Sequence, residues 1–379
     1  RGWRMKTVTC VEDFRQLYRK RVPKMFYDYT ESGSYEEKTF RDNTEAFENL
    51  RIHQRVGVDV SAISTDTEIM GKPVSLPTVL APVGMLGIQY PGGEIEAAKA
   101  AKAFGAPFVL STMSICSIEQ VAEATRAPFW FQLYVTKDKA FLRDLLRRAS
   151  DAGCSTLVVT MDLAILAQRH KDIKNNLSIR PDFKGLLSYA AHPKWCLAMA
   201  RTPYKSFGNV VGHAKGVDDL ASLLTWAKDA MDPCFSWKDL EWVRKEWHGQ
   251  IIVKGILHDE DAKIACDIGV EGCVVSNHGG RQLDGAGTTV YWMPKIADAV
   301  GDQMELMMDS GVRTGMDIFK ARALGASSVL LGRAMVYALG AQGRQGVERL
   351  LELLRSELKT TLALSGKCDV ASIGASDVY

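Results

Sequence analysis

The stretch VVSNHGGRQLDG, residues 274–285, joins an apolar run to a group of polar and glycine residues. Its two valines end a run of the kind that forms a strand buried on both faces, so the strand presents His278 near its C-terminal end. Gly279 and Gly280 then permit positive φ and close backbone approach, and Arg281 adds a guanidinium. A base beside an anion-binding side chain indicates a substrate that carries a carboxylate. A glycine turn with a structural histidine and a surface arginine is the alternative.

Eight apolar runs of this kind occur along the chain, and segments of helical periodicity separate them. The runs are LPTVLAPVG (76–84), PFVLST (107–112), FWFQLYV (129–135), TLVVTMD (156–162), IIVKGI (251–256), GCVVSNH (272–278), ELMMDSG (305–311) and SVLLGR (328–333). Apolar strands that alternate with helices predict a parallel α/β sheet, and eight repeats are the number that closes a (β/α)8 TIM barrel. A doubly wound open sheet is the alternative, which is disfavoured because no GxGxxG follows an early strand.

The chain is predicted to be one domain, residues 1–379, with two additions to the barrel. Residues 1–50 are predicted to form N-terminal helices, and residues 170–235 a loop or lid inserted after the fourth strand. Residues 171–215 hold eight Lys or Arg against two Asp, with Trp195, Leu197, Met199 and Phe207 among them. Such a segment fits an anionic membrane surface or a solvated loop, and the sequence leaves both open.

Composition excludes several classes of protein. A formal net charge of +2 gives no global field for nucleic acid, so no nucleic-acid partner is predicted. The eight cysteines show no CxxC spacing, which predicts reduced thiols and a cytoplasmic protein. No uninterrupted apolar stretch is long enough to span a bilayer. The polar group His258 to Asp261 is typical of a helix start, and no metal site is predicted.

Each of the eight runs ends in residues that could bind a ligand or take part in catalysis. These ends are Ala81 to Gly84, Ser111, Gln132 with Tyr134, Thr160 with Asp162, Lys254, His278, Asp309, and Gly332 with Arg333. Because the C-terminal ends of barrel strands meet at one mouth, we expect them to form one site. DSGVR (309–313) and the GR at 332 follow the last two strands, where such barrels bind phosphate. A phosphate site with a central lysine fits flavin mononucleotide (FMN).

Several segments together resemble the FMN-dependent family that oxidises 2-hydroxy acids. The segments are KMFYDYTESG, LAPVG, WFQLYV, the TxDxxxxxxR pattern at 160–169, VKG, SNHGGRQLDG and DSGVR, in the family's order over nearly the whole chain. LAPVGMLG, FSWKDLEWVRKEW and RHKDIKNNLS are most similar to the bacterial respiratory L-lactate dehydrogenases of that family. The resemblance implies FMN, a TIM barrel, a homotetramer and oxidation of an L-2-hydroxy acid.

The resemblance also implies a role for each matching residue. His278 would be the base, Asp162 would stabilise its imidazolium, Arg281, Arg169 and Tyr29 would bind the substrate carboxylate, and Tyr134 would contact the 2-oxygen. Lys254 would face the flavin N1 and C2 carbonyl. The other residues expected to bind FMN are Ala81, Pro82, Val83, Ser111, Gln132, Thr160, Ser276, Asp309, Gly311, Arg313, Gly332 and Arg333.

Four residues depart from patterns common in the family. Ala167 replaces a glycine and would disturb the placement of Arg169 if the position requires positive φ, while His170 replaces a glutamate and is expected at the surface. Gly84 replaces the alanine of many oxidases, which favours a dehydrogenase, and Met113 replaces a tryptophan, which suits a methyl-bearing substrate.

These residues predict oxidation of L-lactate to pyruvate, with electrons passing to a quinone or cytochrome. An L-mandelate dehydrogenase or an oxygen-using oxidase of the same family is the alternative. The predicted location is the cytoplasm, with attachment to the cytoplasmic face of the inner membrane through residues 171–215 left open.

Overall fold

The computed structural model describes residues 7–175, 183–218, 222–223, 226 and 229–379. Its strands are β1 (Thr67–Ile69), β2 (Lys72–Val74), β3 (Thr78–Leu80), β4 (Val109–Ser111), β5 (Trp130–Leu133), β6 (Thr156–Thr160), β7 (Gln250–Ile256), β8 (Gly272–Val275), β9 (Glu305–Met308) and β10 (Ser328–Leu331). Strands β3 to β10 form one parallel sheet, ordered β3-β10-β9-β8-β7-β6-β5-β4. A parallel bridge between Leu80 and Phe108 joins its two edges. The predicted (β/α)8 barrel is therefore confirmed, and all eight predicted runs contain a barrel strand.

Helices surround this barrel and precede it. They are α1 (Val11–Arg19), α2 (Lys24–Thr30), α3 (Lys38–Asn49), α4 (Leu86–Gln89), α5 (Gly93–Phe104), α6 (Ile118–Thr125), α7 (Lys139–Asp151), α8 (His170–Lys174), α9 (Phe183–Ala190), α10 (Pro193–Arg201), α11 (Trp237–Glu246), α12 (Asp259–Ile268), α13 (Thr289–Val300), α14 (Gly315–Ala323) and α15 (Arg333–Leu364). Helix α15 kinks at Gly343, and none of the described helices is long and apolar enough to cross a membrane. Arg180 and Asp182 of the basic segment lie outside the described residues.

A short antiparallel hairpin, β1 with β2, precedes the barrel and was not predicted. Its side chains Ile69, Met70 and Val74 pack in one cluster with the residues that fill the barrel interior. The backbone N–H of Met70 donates to the Glu305 carboxylate at 2.7 Å, next to the start of β9. The hairpin thus closes the N-terminal end of the barrel. Strands of three residues joined by Met70 and Gly71 carry neither a clear alternation nor an Asn-Gly turn, so the pattern gave no signal.

The alternation of side chains along the strands decides which residues reach the mouth. One apolar residue of each strand fills the interior, and for the last seven strands these are Val109, Trp130, Val158, Ile252, Val274, Met307 and Leu330. Two residues further along, the same inward direction is taken by Ser111, Gln132, Thr160, Lys254, Ser276, Asp309 and Gly332. The period of the strands therefore places a layer of polar groups and one glycine directly above an apolar layer.

Candidate active site

A cavity of about 350 Å³ opens above this polar layer, at the C-terminal ends of the strands. Of the predicted site residues, it is lined by Tyr29, Ala81, Pro82, Val83, Tyr134, Arg169, Lys254, His278, Arg281, Asp309, Gly311, Arg313, Gly332 and Arg333. The other five predicted residues do not line it and are Asp162, Ser111, Gln132, Thr160 and Ser276. Each of these five is tied by a hydrogen bond to another predicted site residue.

His278 and Asp162 form a hydrogen-bonded pair beside the cavity. The distance from Nδ1 of His278 to Oδ1 of Asp162 is 2.8 Å, and His278 has a φ of 57°. Burial alone would raise the pKa of Asp162, but the neighbouring His278 and Lys254 outweigh it and hold that pKa below its ordinary value. Asp162 therefore stays ionised. It fixes the imidazole through Nδ1, which leaves Nε2 as the nitrogen that can exchange a proton with a bound molecule.

Gly255 makes room for this pair. The residue has a φ of 103°, and a Cβ built on it would lie 2.4 Å from Cγ of Asp162. No larger residue could occupy that position without displacing the carboxylate. The glycine after Lys254 is therefore a requirement of the His278–Asp162 geometry, which the sequence alone did not show.

Lys254 is buried in the floor of the cavity and makes two polar contacts there. Its Nζ lies 2.9 Å from Oγ of Ser276 and 3.0 Å from Oδ2 of Asp309. Although burial disfavours the ammonium, the carboxylates of Asp309 and Asp162 raise the pKa of Lys254 above its ordinary value. The lysine thus keeps its positive charge inside the barrel mouth.

A chain of hydrogen bonds joins the ends of β4, β5 and β6. Ser111 donates through Oγ to Oε1 of Gln132 at 3.0 Å, and Nε2 of Gln132 donates to Oγ1 of Thr160 at 2.9 Å. All three side chains are buried. This chain fixes the orientation of the Gln132 amide within the polar layer below the cavity.

Arg281 and Arg333 connect the barrel mouth to the segment that follows α2. Through Nη1, Arg281 donates to the carbonyl oxygen of Tyr29 at 2.7 Å and to that of Ser32 at 2.9 Å. Arg333 donates to the carbonyl oxygens of Thr30, Gly279 and Ser32. The Arg333 guanidinium therefore donates its hydrogen bonds to backbone oxygens. An anion could still be attracted by its positive charge and by the start of α15, where Arg333 is the first residue. A Cβ on Gly279 would lie 2.7 Å from this guanidinium, which explains that glycine.

Tyr29 lies between two arginines. Its ring centroid is 4.8 Å from the guanidinium carbon of Arg281 and 5.6 Å from that of Arg169. Arg169 in turn pairs through Nε with Oδ2 of Asp172 at 2.8 Å. Across the cavity, burial and the charge of Asp162 raise the pKa of Tyr134, so its hydroxyl remains a proton donor at neutral pH.

The positive charge of the cavity wall is not balanced within the wall. Five lining side chains are cations, namely Arg169, Lys254, Arg281, Arg313 and Arg333, and Asp309 is the one carboxylate among the lining residues that the structure describes. Burial and the nearby Arg169 lower the pKa of Arg281, and burial and Arg281 lower that of Arg333 to about 9. A phosphate and a carboxylate would relieve this repulsion. The site therefore fits FMN together with a carboxylate substrate.

The end of the cavity where phosphate binding is predicted lies between β9 and α15. Gly332 stands at the start of α15 with open space where a Cβ would be, so a ligand can approach its backbone and the N–H groups of the first turn. Gly311 has a φ of 113°, and a Cβ there would lie 2.4 Å from the carbonyl oxygen of Asn43 in α3. The Arg313 guanidinium donates to the carbonyl oxygen of Val312 at 2.8 Å.

Several lining residues were missed because they come from loops. Phe207 and Met231 belong to the insertion, and Leu163 and Leu166 follow Asp162. Their apolar side chains carried no signal of a site, and only the path of the chain brings them to the cavity. The other lining residues outside the predicted set are Thr30, Gly84, Met85, Met113, Gly279, Ser310, Val312, Leu330 and Val336.

The residues that depart from the family pattern can now be placed. Ala167 is not among the described residues with positive φ. The displacement of Arg169 that a positive φ at this position would cause therefore does not arise. His170 is half-buried, and its ring lies 6.1 Å from that of Tyr35 and nearly perpendicular to it. His258 caps α12, since its Nδ1 accepts from the backbone N–H of Glu260 at 3.2 Å.

Comparison with known proteins gives concordant matches. The sequence matches the model of the FMN-dependent dehydrogenase family over residues 18–379. It is 44% identical over 372 residues to the L-lactate dehydrogenase of Haemophilus influenzae strain PittEE, which is 97% of each chain. The L-lactate dehydrogenase of Caulobacter vibrioides is 44% identical over 97% of this chain and 96% of that one. The crystal structure of a monotopic membrane protein, (S)-mandelate dehydrogenase, aligns with a TM-score of 0.94 at 37% identity, covering 99% of this chain and 100% of that chain.

Proposed function

The chain belongs to the FMN-dependent dehydrogenase family, and from that premise we propose that it oxidises L-lactate to pyruvate and passes the electrons to a quinone. The observation that carries the proposal is the His278–Asp162 pair at 2.8 Å beside the guanidinium groups of Arg281 and Arg169. A base next to a double carboxylate clamp is what oxidation of a 2-hydroxy acid requires, and the relatives named L-lactate dehydrogenase favour lactate.

Bound FMN supplies the acceptor for the two electrons that leave the substrate. Ala81, Pro82 and Val83 offer an apolar wall to its ring system. The amide of Gln132, fixed by Ser111 and Thr160, lies in the polar layer below that wall. The charge of Lys254 supports negative charge on the ligand above the barrel floor. The FMN phosphate would lie at the start of α15, near the residues expected to bind it, which are Arg313, Gly332 and Arg333.

His278 is the proposed base, and Nε2 is the atom that takes the proton. Proton uptake makes the ring an imidazolium, which Asp162 stabilises because its carboxylate accepts from Nδ1 and stays ionised. The hydroxyl of Tyr134 donates to the 2-oxygen of the substrate as that oxygen becomes a carbonyl. Both groups are positioned by strand ends, so they stay in place when substrate enters.

The substrate carboxylate is proposed to bind between Arg281 and Arg169. Among the described residues, the hydrogen bonds of Arg281 all leave from Nη1, so Nε and Nη2 remain for the carboxylate. Tyr29 lies against both guanidinium groups and holds them on one side of the cavity. Its hydroxyl is a further donor for the same carboxylate.

The methyl or phenyl group on C2 of the substrate would face apolar side chains from three segments of the chain. Met113 follows β4, Leu163 and Leu166 follow β6, and Phe207 and Met231 come from the insertion. This wall suits the methyl group of lactate and also the phenyl group of mandelate, the substrate in the name of the structural neighbour. Because the relatives in Haemophilus influenzae and Caulobacter vibrioides are named L-lactate dehydrogenase, lactate is the preferred proposal and mandelate the alternative.

We propose the electron acceptor and the cellular location from the side chains at the rim of the cavity. Ile165, Leu166, Ile173, Leu187 and Leu197 are exposed, and they lie in the loop after β6 and in α8 to α10. Together with the described lysines and arginines between residues 171 and 215 they fit the surface of an anionic bilayer, where a quinone would reach the cavity directly. We propose attachment to the cytoplasmic face of the inner membrane and assembly as a homo-oligomer. A soluble cytochrome or oxygen is the alternative acceptor.

The test is anaerobic mixing of the FMN-loaded protein with L-lactate while the flavin absorbance is followed. Bleaching by L-lactate in preference to L-mandelate and glycolate is expected, with fast recovery on adding a quinone analogue and slow recovery in air. Fast recovery in air would make the protein an oxidase, and bleaching by L-mandelate alone would replace the substrate. A yellow protein that none of the three acids bleaches would refute the proposed reaction. Sedimentation with anionic phospholipid vesicles, compared with neutral ones, tests the membrane surface separately.

A further inference from the structure

Asp172 lies next to the proposed carboxylate clamp but outside the cavity. It is in α8, three residues after Arg169, and its Oδ2 is 2.8 Å from Nε of Arg169. Both oxygens of this carboxylate are buried, whereas Arg169 lines the cavity. The carboxylate therefore pairs with the guanidinium without itself lining the cavity.

The two clamp arginines repel each other. Arg169 and Arg281 both lie against the ring of Tyr29, and the nearness of Arg169 contributes to the lowered pKa of Arg281. The carboxylate of Asp172 attracts both guanidinium groups, and burial raises its own pKa. It is thus a countercharge that can hold two like charges together before any substrate carboxylate arrives.

The helix that carries Asp172 is fixed to the N-terminal segment. Lys171 donates through Nζ to the carbonyl oxygen of Glu31 at 3.1 Å and to Oε2 of Glu37 at 2.9 Å. Asn175, just after α8, donates to Oδ2 of Asp28 at 2.8 Å. These contacts set the position of α8 on both sides of Asp172. Its carboxylate can therefore act as a fixed point for Arg169.

We infer that Asp172 is a positioning residue that aims Arg169 at the substrate carboxylate. Because the ion pair engages Nε, the two terminal nitrogens of Arg169 are left to make a bidentate contact in the cavity. Without Asp172, the guanidinium is repelled by Arg281 and turns away from the clamp. This inference rests on the proposed function, since it assumes a substrate that carries a carboxylate.

The test is the substitution Asp172→Asn in the FMN-loaded protein. The probe is D-lactate, which carries the same carboxylate, and its binding is read as a perturbation of the flavin spectrum. The Kd for D-lactate and the KM for L-lactate should each rise about tenfold or more, because the buried ion-pair partner of Arg169 is lost, while the limiting rate of anaerobic flavin reduction changes by less than about threefold. Asp172→Glu, which keeps the charge, should recover part of the affinity.

Asp144→Asn is the matched control, because it removes the carboxylate of another pair between an aspartate and the arginine three residues away, in α7 and outside the cavity. Its loss should leave the D-lactate Kd unchanged. The inference is overturned if Asp172→Asn leaves the Kd within about twofold of the wild type, or if it lowers the limiting rate by the same factor as it raises the Kd.

A double substitution separates positioning from a general structural role. If Asp172 acts only through Arg169, then Arg169→Met/Asp172→Asn binds D-lactate no worse than Arg169→Met. A weaker Kd in the double variant would contradict the inference. This comparison also serves if Asp172→Asn alone fails to fold, because the double variant removes both members of the Arg169–Asp172 ion pair. A wild-type protein that no 2-hydroxy acid bleaches would instead refute the proposed reaction.

Discussion

Two regions of the molecule contribute to one cavity in different ways. The strand ends supply Lys254, His278 and the groups around them, and the sheet fixes their positions through its hydrogen bonds. The covering segments, α2 and the insertion between β6 and β7, supply Tyr29, Arg169 and Met231, which reach the cavity along irregular paths. We therefore propose that the strand ends carry out proton transfer and that the covering segments select the substrate. Substitutions in the first should change the rate, and those in the second the affinity or the preference.

The largest effect is expected from His278→Gln at the end of β8. The variant should bind FMN normally. Among the described residues, the hydrogen bonds of His278 go to Ser276 and Asp162 and not to the residues proposed to bind the phosphate. Its rate of flavin reduction by L-lactate should fall on the order of 10⁴-fold, since the base is gone. Rapid mixing under anaerobic conditions measures this rate. Undiminished reduction in the variant would remove the assignment of His278 as the base.

Gly255→Ala tests whether the strand positions the base through Asp162. The added Cβ would lie 2.4 Å from Cγ of Asp162, so the carboxylate must move and the rate should fall on the order of 100-fold. The control is Gly269→Ala. Gly269 also has a positive φ, 84°, and no atom lies within 4 Å of the added Cβ, so this variant introduces backbone strain of about 1–3 kcal/mol without the clash. Thermal unfolding and the reduction rate are measured for both variants. Equal losses of rate would show that strain alone, rather than displacement of Asp162, is responsible.

Arg281→Lys addresses the point where the two regions meet. An ammonium cannot reproduce the planar fork or the Nη1 contacts to the carbonyl oxygens of Tyr29 and Ser32. The KM for L-lactate should rise about tenfold to 100-fold, and the limiting rate should fall less. Steady-state kinetics with the same acceptor measures both parameters. An unchanged KM would argue against the clamp.

The smallest effect is expected from Met231→Ala in the insertion. The shorter side chain enlarges the apolar wall, so the ratio of kcat/KM for L-mandelate to that for L-lactate should rise about tenfold. Met316→Ala, which changes an exposed methionine outside the cavity, should leave the ratio unchanged. Competition assays with both acids give the ratio directly. A fall in both kcat values without a change of ratio would assign Met231 to structure rather than to selection.

The same division explains how far the sequence could be interpreted. The strand-end residues were predictable because inward side chains repeat every two residues, so Ser111, Gln132 and Thr160 follow from the apolar runs that precede them. The hairpin was missed because its strands are short, and Phe207 and Met231 were missed because an apolar residue in a loop has no periodic context. Asp172 was also missed, since its role depends on a contact with Arg169 that no spacing reveals.

The most direct test of this division compares Asp162→Asn with Arg169→Lys by anaerobic rapid mixing with L-lactate. Plots of flavin reduction rate against substrate concentration give a limiting rate and an apparent Kd for each variant. Asp162→Asn should lower the limiting rate by about 100-fold or more with the Kd nearly unchanged, because the imidazolium of His278 loses its partner. Arg169→Lys should raise the Kd and largely preserve the limiting rate. If both variants changed the same parameter by the same factor, the separation of chemistry from substrate binding would be contradicted.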